Sequence, residues 1–177
     1  MHLFAVRSIE AVTVADIAEQ AGMTPAAVYY HYPSKDDLLL DGLRGFTDAL
    51  LEQLRVELRK PVTDDGIGDV LVGLLDWFDG KRYAATVYFV TSPGLSIAVE
   101  ALRRETRLEM IKLLTQALRK RMPGLQLAEA SVSATGLLNL IEQAAASWLT
   151  EDAVLANLGR RRFCAEVVNL ARRISGP

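Results

Sequence analysis

The chain has 177 residues, of which half are hydrophobic, and its 20 basic and 22 acidic side chains give a formal charge of −2. This composition excludes a disordered chain and suits one core, or a small domain joined to a larger one, while the charge provides no overall basic field for nucleic acid. The single cysteine, Cys164, excludes an intramolecular disulfide framework, and no stretch reaches the length of a transmembrane helix. We expect a cytoplasmic protein in which Cys164 is a packing residue rather than a redox sensor.

Helix-start signals follow one another closely near the N-terminus. Thr13 and Ser34 each stand three residues before an aspartate, which is the spacing of a capping box. Thr24 precedes Pro25, and proline suits the first position of a helix because it has no N–H to leave unsatisfied. Gly22, between the first two helices, can adopt the left-handed conformation that ends a helix. Two short helices joined by a turn containing glycine predict a helix-turn-helix, although a helical hairpin of an ordinary bundle has the same signals.

The apolar pattern gives this motif an inner and an outer face. We expect Ile17, Ala21 and Val28 to form the inner face. The second helix then points a small outward face away from Val28, made of Ala26, Ala27 and Tyr30. Such a face can enter the major groove of DNA, which admits an α-helix. One observation counts against DNA affinity, since residues 1–45 hold three basic and six acidic side chains, a formal charge of −3.

The middle of the chain continues in helical patterns. Leucines at helical spacing predict a long helix from Ser34 to Lys60, stopped by Pro61, and an apolar stripe predicts another from Ile67 to Phe78. The segment 81–91 is rich in β-branched and aromatic residues, but a lone strand would have no partner, so we predict a short helix. A further long helix, 95–122, carries basic residues that are expected on a solvated outer face rather than in a second nucleic-acid patch: Arg103, Arg104, Arg107, Lys112, Arg119, Lys120 and Arg121.

The last two predicted helices cover 127–149 and 152–174. The first is rich in small residues, which let helices pack closely, and it is apolar on more than one face. A helix that is apolar most of the way round must be buried on both sides, and a terminal helix pair cannot achieve this within one small domain. We therefore expect a homodimer in which these two helices of each chain form a four-helix bundle.

The sequence lacks the side-chain constellations of an enzyme, a metal site or a cofactor site. The two histidines, His2 and His31, lie near the N-terminus, and the sequence contains no histidine pair at metal-binding spacing and no phosphate-binding loop. Ligand recognition is better supported, because several residues combine apolar area with a few polar groups. The candidates for a small-molecule site, each of which could equally belong to the core, are Trp77, Phe78, Tyr83, Tyr88, Phe89, Asn139 and Glu142.

The run TVADIAEQAGMTPAAVYYHYPSKDDLL resembles the DNA-binding segment of the TetR (tetracycline-repressor) family of transcription regulators. The matching positions are Thr13, Ile17, Ala18, Ala21, Gly22, Tyr29, His31, Ser34, Lys35 and Leu38, and Met23, Thr24, Val28 and Tyr32 are similar. The resemblance implies an all-α fold, with a three-helix helix-turn-helix domain at 1–45 and an antiparallel helical regulatory and dimerisation domain at 46–177. Residues 1–6 resemble only the last turns of the family's first helix, so we expect a shortened start.

The resemblance also implies residue roles. Four residues would face base edges, namely Pro25, Ala26, Ala27 and Tyr30, and five would hold phosphates, namely Thr13, Thr24, Tyr29, His31 and Lys35. The expected function is that of a repressor that binds a palindromic double-stranded operator as a homodimer and is released by an apolar or aromatic small molecule. The acidic motif region leaves open a second interpretation, a helical sensor or interaction protein that keeps this fold but no longer binds DNA.

Overall fold

A computed structural model describes residues 1–61, 66–150, 152, 155 and 157–175. Within these ranges every regular element is helical and no strand occurs, which confirms the predicted all-α class. The elements, in chain order, are α1 (His2–Val6), α2 (Val14–Ala21), α3 (Pro25–His31), α4 (Lys35–Arg59), α5 (Ile67–Gly80), α6 (Arg82–Thr86), a π-helix (Val87–Thr91), α7 (Ile97–Arg121), α8 (Leu127–Leu149) and α9 (Gly159–Ser175).

The first helix boundaries arise from local hydrogen bonds. Thr13 Oγ1 accepts from the Asp16 N–H at 3.1 Å, and Asp16 Oδ2 accepts from the Thr13 N–H at 2.8 Å, so the capping box of α2 is complete. Gly22 ends α2 in the left-handed region with φ 66°. Thr24 Oγ1 then accepts from the Ala27 N–H at 3.2 Å and caps α3. The sequence therefore determines the helix-turn-helix geometry almost residue by residue.

The cap of α4 differs from the expected capping box in one respect. Ser34 Oγ accepts from the Asp37 N–H at 3.1 Å, but the Asp37 carboxylate accepts its hydrogen bond from the Ser34 hydroxyl, at 2.6 Å, rather than from the Ser34 backbone.

The inner face of the helix-turn-helix also differs from the prediction, because Ala18 is fully buried whereas Ala21 is exposed. Ala21 is the last residue of α2, where the chain turns away at Gly22, so the prediction that it lies inside is wrong.

A single hydrophobic core joins the N-terminal helices to the rest of the described chain. α4 is continuous across residues 45 and 46, and it packs on both α5 and α7. α7 and α8 form the most extensive helix pair, and α9 packs on α5 and α8. The core runs from Phe4 and Ile9 beside α1 through Leu50 of α4 to Leu149 of α8. The predicted division at residue 45 thus falls inside one long helix that belongs to both parts.

Three elements differ in detail from the predicted helices. The short helix predicted at 81–91 is confirmed, but its second half is a π-helix, which sequence periodicity does not reveal. α7 begins at Ile97 rather than at Leu95 because Ser96 caps it, accepting from the Val99 N–H at 3.2 Å. The last helix is described from Gly159 instead of from residue 152; residues 153, 154 and 156, which the prediction included, lie outside the described residues.

A polar clamp ties α9 to α5 and α8. The Arg160 guanidinium lies 2.6 Å from Asp76 and 2.8 Å from Asp79, and it stacks 5.0 Å above the Trp148 ring. Trp148 Nε1 donates to Asp79 at 2.7 Å. Half-buried Cys164 lies in the same region, and burial raises the pKa of its thiol, which disfavours the reactive thiolate. This agrees with a packing role for Cys164.

None of the described helices combines the length and the apolarity that a membrane crossing needs.

Candidate nucleic-acid interface and effector region

The exposed side of α3 is the surface that the sequence predicted to read DNA. Val28 is buried and fixes the helix to the core, while Tyr30, on the other side, is 85% exposed. The edge of the His31 ring lies against Tyr30, with 5.1 Å between ring centroids and 84° between planes. Of the nine residues predicted to contact DNA, seven are exposed (Thr13, Thr24, Pro25, Ala26, Tyr29, Tyr30 and His31) and two are half-buried (Ala27 and Lys35).

Ala27 and Lys35 are half-buried for different reasons. Ala27 precedes the buried Val28 on α3 and is itself partly covered. Lys35 is held by the chain itself, since its Nζ donates to the Ile9 carbonyl at 2.7 Å and to the Glu10 carbonyl at 3.2 Å. Lys35 therefore ties the start of α4 to the segment between α1 and α2, a role that no local pattern indicates.

A second cation of the N-terminal region also has partners within the module. Arg7 donates to the Ala11 carbonyl at 3.0 Å and pairs with Asp16 at 3.3 Å. The hydrogen bonds from the Thr13 backbone and hydroxyl, together with Arg7, lower the pKa of Asp16, so this carboxylate stays ionised. Arg7 and Lys35 hold the loop before α2 in place, which leaves fewer cationic groups for phosphates than the sequence count suggests.

Replacing Lys35 with methionine should therefore destabilise the protein by about 1–3 kcal/mol, because two carbonyls lose a charged donor while most of the apolar stem remains. Urea unfolding followed by circular dichroism measures the change. Lys112→Met is the control, since this lysine is 68% exposed and pairs with Glu109 at 3.4 Å on the surface of α7, where such pairs contribute little. Equal stability of the two variants would contradict the tethering role of Lys35.

The predicted ligand residues fall into three places, and the first is an aromatic cluster between α4, α5 and the π-helix. The Phe78–Phe89 and Tyr88–Phe89 centroids are each 4.9 Å apart. Trp77 stacks on Phe46 at 5.4 Å, and Phe46 also lies 5.3 Å from Tyr88. Phe46 was missed at the sequence level because it reads as one more apolar residue of α4. It brings the long helix into direct contact with the candidate effector residues.

The second place is a polar layer beside this cluster. The Arg103 guanidinium lies 4.7 Å from the centroid of the Tyr88 ring and donates to the Tyr88 carbonyl. Its side chain is only 15% exposed, so the expectation of a solvated outer position for Arg103 is wrong. Arg107 joins the predicted pair, because it donates to Asn139 Oδ1 at 2.9 Å and forms an ion pair with Glu142.

Tyr88 is the point where these two layers meet. Its hydroxyl oxygen is buried and has no hydrogen-bond partner among the described residues. The neighbouring Thr106 hydroxyl donates instead to the Leu102 carbonyl at 2.9 Å. Burial raises the pKa of Tyr88, so the phenol remains protonated and needs an acceptor.

The third place is the junction between the effector region and the N-terminal helices. Tyr83 is 50% exposed and does not join the aromatic cluster; its ring lies 4.5 Å from that of His2, at 87°. His2 Nδ1 in turn lies 2.9 Å from Nε2 of Gln20 in α2. One helical turn past Tyr88, Thr91 Oγ1 donates to the Phe4 carbonyl of α1 at 3.1 Å. The π-helix is thus bonded directly to α1, the helix that precedes the helix-turn-helix.

Within the described ranges, no group of three or more His, Cys, Asp or Glu side chains is placed to hold a metal ion.

The sequence model of a protein family, described as bacterial regulatory proteins of the tetR family, matches residues 1–41, which contain α1, α2, α3 and the start of α4. The N-terminal region of this chain, residues 1–41, therefore matches the tetR family. The resemblance inferred from the motif is confirmed for this part of the chain.

Two proteins that this chain resembles are transcription regulators. The HTH-type transcriptional repressor KstR2 of Rhodococcus jostii is 43% identical over 53 residues, which are 30% of this chain and 26% of the relative. The HTH-type transcriptional activator FasR of Mycolicibacterium smegmatis is 26% identical over 158 residues, covering 85% of this chain and 69% of FasR. The chain therefore spans only about a quarter of the length of the KstR2 repressors that it matches.

Solved structures extend the similarity of the fold to the C-terminal helices. The crystal structure of the transcriptional regulator FadR from Bacillus subtilis, in complex with stearoyl-CoA, superposes with a TM-score of 0.74 at 15% identity. The superposition covers 96% of this chain and 91% of FadR. At this level of identity the likeness shows a shared architecture, including the arrangement of the C-terminal helices.

Proposed function

We propose that this chain is a ligand-responsive, TetR-family transcription regulator of the cytoplasm, a repressor that binds a palindromic operator as a homodimer and is released by a small molecule. The observation that carries the proposal is the position of α3, whose buried Val28 fixes it to the core while Tyr30 projects with 85% exposure. A helix that is rigidly seated and yet protrudes is the shape that a major groove accepts.

The base-facing set is poor in hydrogen-bond donors. Pro25, Ala26 and Ala27 offer apolar contacts to thymine methyl groups, and Tyr30 adds a ring and a hydroxyl. Each good contact is worth on the order of 1 kcal/mol of discrimination. Phosphates would be held by hydroxyls and by the exposed His31, since Arg7 and Lys35 are held within the module. Binding should consequently depend less steeply on salt than for a strongly basic motif.

Dimerisation is supported by an apolar surface on the last two helices. α8 and α9 enclose a groove of about 260 Å³. Several large apolar side chains on these helices are left exposed, with values of 58% for Leu127, 74% for Val132 and 46% for Leu170. A second copy, related by a two-fold axis, would cover this surface and complete a four-helix bundle. The groove is lined by Leu140, Gln143, Ala144, Ser147, Leu155, Leu158, Phe163, Glu166, Val167 and Leu170.

The effector is proposed to be an apolar or aromatic molecule that binds at the aromatic cluster and offers an acceptor to the Tyr88 hydroxyl. The buried phenol of Tyr88, which has no hydrogen-bond partner among the described residues and lies against the rings of Phe46 and Phe89, supports this choice. The stearoyl-CoA bound to the Bacillus subtilis FadR supports the apolar class, because the two proteins share an architecture. Asn139 and Glu142 would act through Arg107 rather than by direct contact.

Two connections would transmit the effector to DNA. Phe46 places α4 against the aromatic cluster, and the Thr91 hydrogen bond to the Phe4 carbonyl joins the π-helix to α1. An effector that prefers one position of α4 would change the separation of the two α3 helices in the dimer, and half-sites one helical turn apart tolerate little change. A difference in affinity of about 2–3 kcal/mol between the two states would shift operator occupancy some tens-fold.

Fluorescence anisotropy with duplexes taken from the DNA that flanks the gene tests the proposal. The expected result is saturable binding to one palindromic fragment, at least about ten-fold tighter than to a scrambled fragment, and release by a long-chain acyl-CoA or another apolar ligand. If a folded dimer binds all duplexes weakly and equally, the alternative applies, namely a helical sensor that no longer binds DNA. The acidic character of residues 1–45 favours that alternative. Binding of an effector without any change in operator affinity would refute the coupling mechanism.

A further inference from the structure

A cationic groove lies where the C-terminal ends of α4 and α7 meet, far along the chain from the DNA-reading helix. It has a volume of about 320 Å³, and its lining combines four cations with two apolar side chains: Leu58, Arg59, Lys60, Ala117, Lys120 and Arg121. None of the described residues in this lining is acidic. The groove is separate from the aromatic cluster, and nothing in the proposed regulatory mechanism uses it.

Two of the four cations have an ordinary explanation. Basic residues in the last turn of a helix complement its partial negative charge, and both Arg59 and Lys60 lie at the end of α4. They also have carboxylate partners, since Arg59 lies 3.6 Å from Glu52 and Lys60 lies 2.5 Å from Glu57. These two residues alone would therefore indicate only a well-capped helix.

Arg121 also lies in the last turn of its helix, α7, but the surroundings of one of its nitrogen atoms distinguish it. Its Nη1 atom is buried and has no hydrogen-bond partner in the described part of the chain. Burial lowers the pKa of this guanidinium, although the charge of Asp69 partly opposes the effect. A buried charged donor without an acceptor is unfavourable, so this position is stabilised by any oxyanion that reaches it. Lys120, the next residue, is exposed and lines the same groove.

We propose that this groove, between the ends of α4 and α7, binds a phosphate group of a small molecule, with Arg121 and Lys120 as its principal ligands and Arg59 and Lys60 as supporting cations. Guanidinium groups suit phosphate because they donate two parallel hydrogen bonds in a planar arrangement. The carboxylates of Glu52, Glu57 and Asp69 leave a small net positive charge, which favours a singly or doubly charged group over a polyanion.

The apolar part of the lining limits the rest of the ligand. Leu58 and Ala117 offer a small apolar wall, and the volume of about 320 Å³ lies at the lower end of the range for small-molecule sites. A phosphomonoester of a small organic molecule fits these properties better than a nucleic-acid backbone, which needs an extended track of cations. The groove lies at the C-terminal end of α4, and the N-terminal end of this helix follows the DNA-reading module. A phosphate bound in the groove would therefore contact the same helix that the effector would move.

Isothermal titration of the intact protein at constant ionic strength, with chloride as the counter-ion, tests the site. Inorganic phosphate and phenyl phosphate are the two probes. We expect saturable binding of one phosphate group per chain, and Arg121→Gln and Lys120→Gln should each weaken it by about ten-fold. Tighter binding of phenyl phosphate would assign the site to an organic phosphomonoester, and equal binding of the two probes would assign it to free phosphate.

Arg119→Gln is the matched control. Arg119 is exposed, lies in the same last turn of α7 and does not line the groove. It should leave phosphate binding within about two-fold of the unmodified protein, because one exposed charge contributes only a weak, screened term. The proposal is overturned if phosphate shows no saturable binding, or if Arg119→Gln weakens it as much as Arg121→Gln does. Lys120 is exposed, so its variant folds even if replacement of the half-buried Arg121 disturbs the end of the helix.

Discussion

A Leu170→Glu variant is expected to be monomeric and to bind the operator at least about a hundred-fold more weakly than the unmodified protein. Leu170 is 46% exposed on α9 and lines the apolar groove between α8 and α9. The substitution is tolerated in the isolated chain, where the carboxylate remains in water, but it places a charge in the dimer seam, where desolvation is costly. A monomer can occupy only one half-site and loses the gain from linking two reading helices.

Sedimentation equilibrium gives the mass of this variant, and anisotropy gives its DNA affinity. Leu108→Glu is the control, because Leu108 is similarly exposed at 54% but lies on α7, outside the groove. It should remain dimeric and bind the operator normally. A dimeric Leu170→Glu protein, or an unmodified protein that is already a monomer, would remove the four-helix bundle from the proposal.

Tyr30→Ala is expected to relax sequence preference by about ten-fold or more, while binding to a scrambled duplex stays nearly the same. The ring is 85% exposed, so its removal leaves a solvated position on α3 and should not change the melting temperature. The loss therefore reports on base contacts rather than on folding. Tyr30→Phe separates the two contributions, since it keeps the ring and removes the hydroxyl.

Tyr29→Ala is the matched control for Tyr30→Ala. The two tyrosines are adjacent on α3, and Tyr29 is 54% exposed, but it is assigned to a phosphate rather than to a base. Its removal should weaken binding to specific and scrambled duplexes by the same factor. If Tyr30→Ala instead weakens binding to both duplexes equally, or leaves the preference intact, α3 does not present Tyr30 to base edges.

The helix-turn-helix could be predicted from the sequence because its determinants are local. Thr13, Thr24 and Ser34 each bond to a backbone N–H only three residues ahead, and Gly22 adopts its own left-handed conformation. Such contacts are encoded in spacing alone. The family model, which matches residues 1–41, covers the same part of the chain.

The rest depended on contacts between residues distant in sequence, which spacing does not encode. Lys35 was assigned to a phosphate, but its ammonium binds the Ile9 and Glu10 carbonyls, 26 and 25 residues away. Tyr83 was grouped with the aromatic residues, although packing places it against His2. Asn139 and Glu142 stood out as polar residues on an apolar helix, and their common partner is Arg107, on a different helix.

The continuous core has a consequence for how the protein can be divided. Phe4, only 1% exposed, is buried in a core that continues through the C-terminal helices, and its carbonyl accepts a hydrogen bond from the Thr91 hydroxyl. A fragment cut after residue 45 would expose this ring and sever α4, so it should not fold by itself. A chimaera that joins the first 45 residues to the C-terminal domain of another protein would therefore need a complementary apolar pocket for Phe4 in that domain.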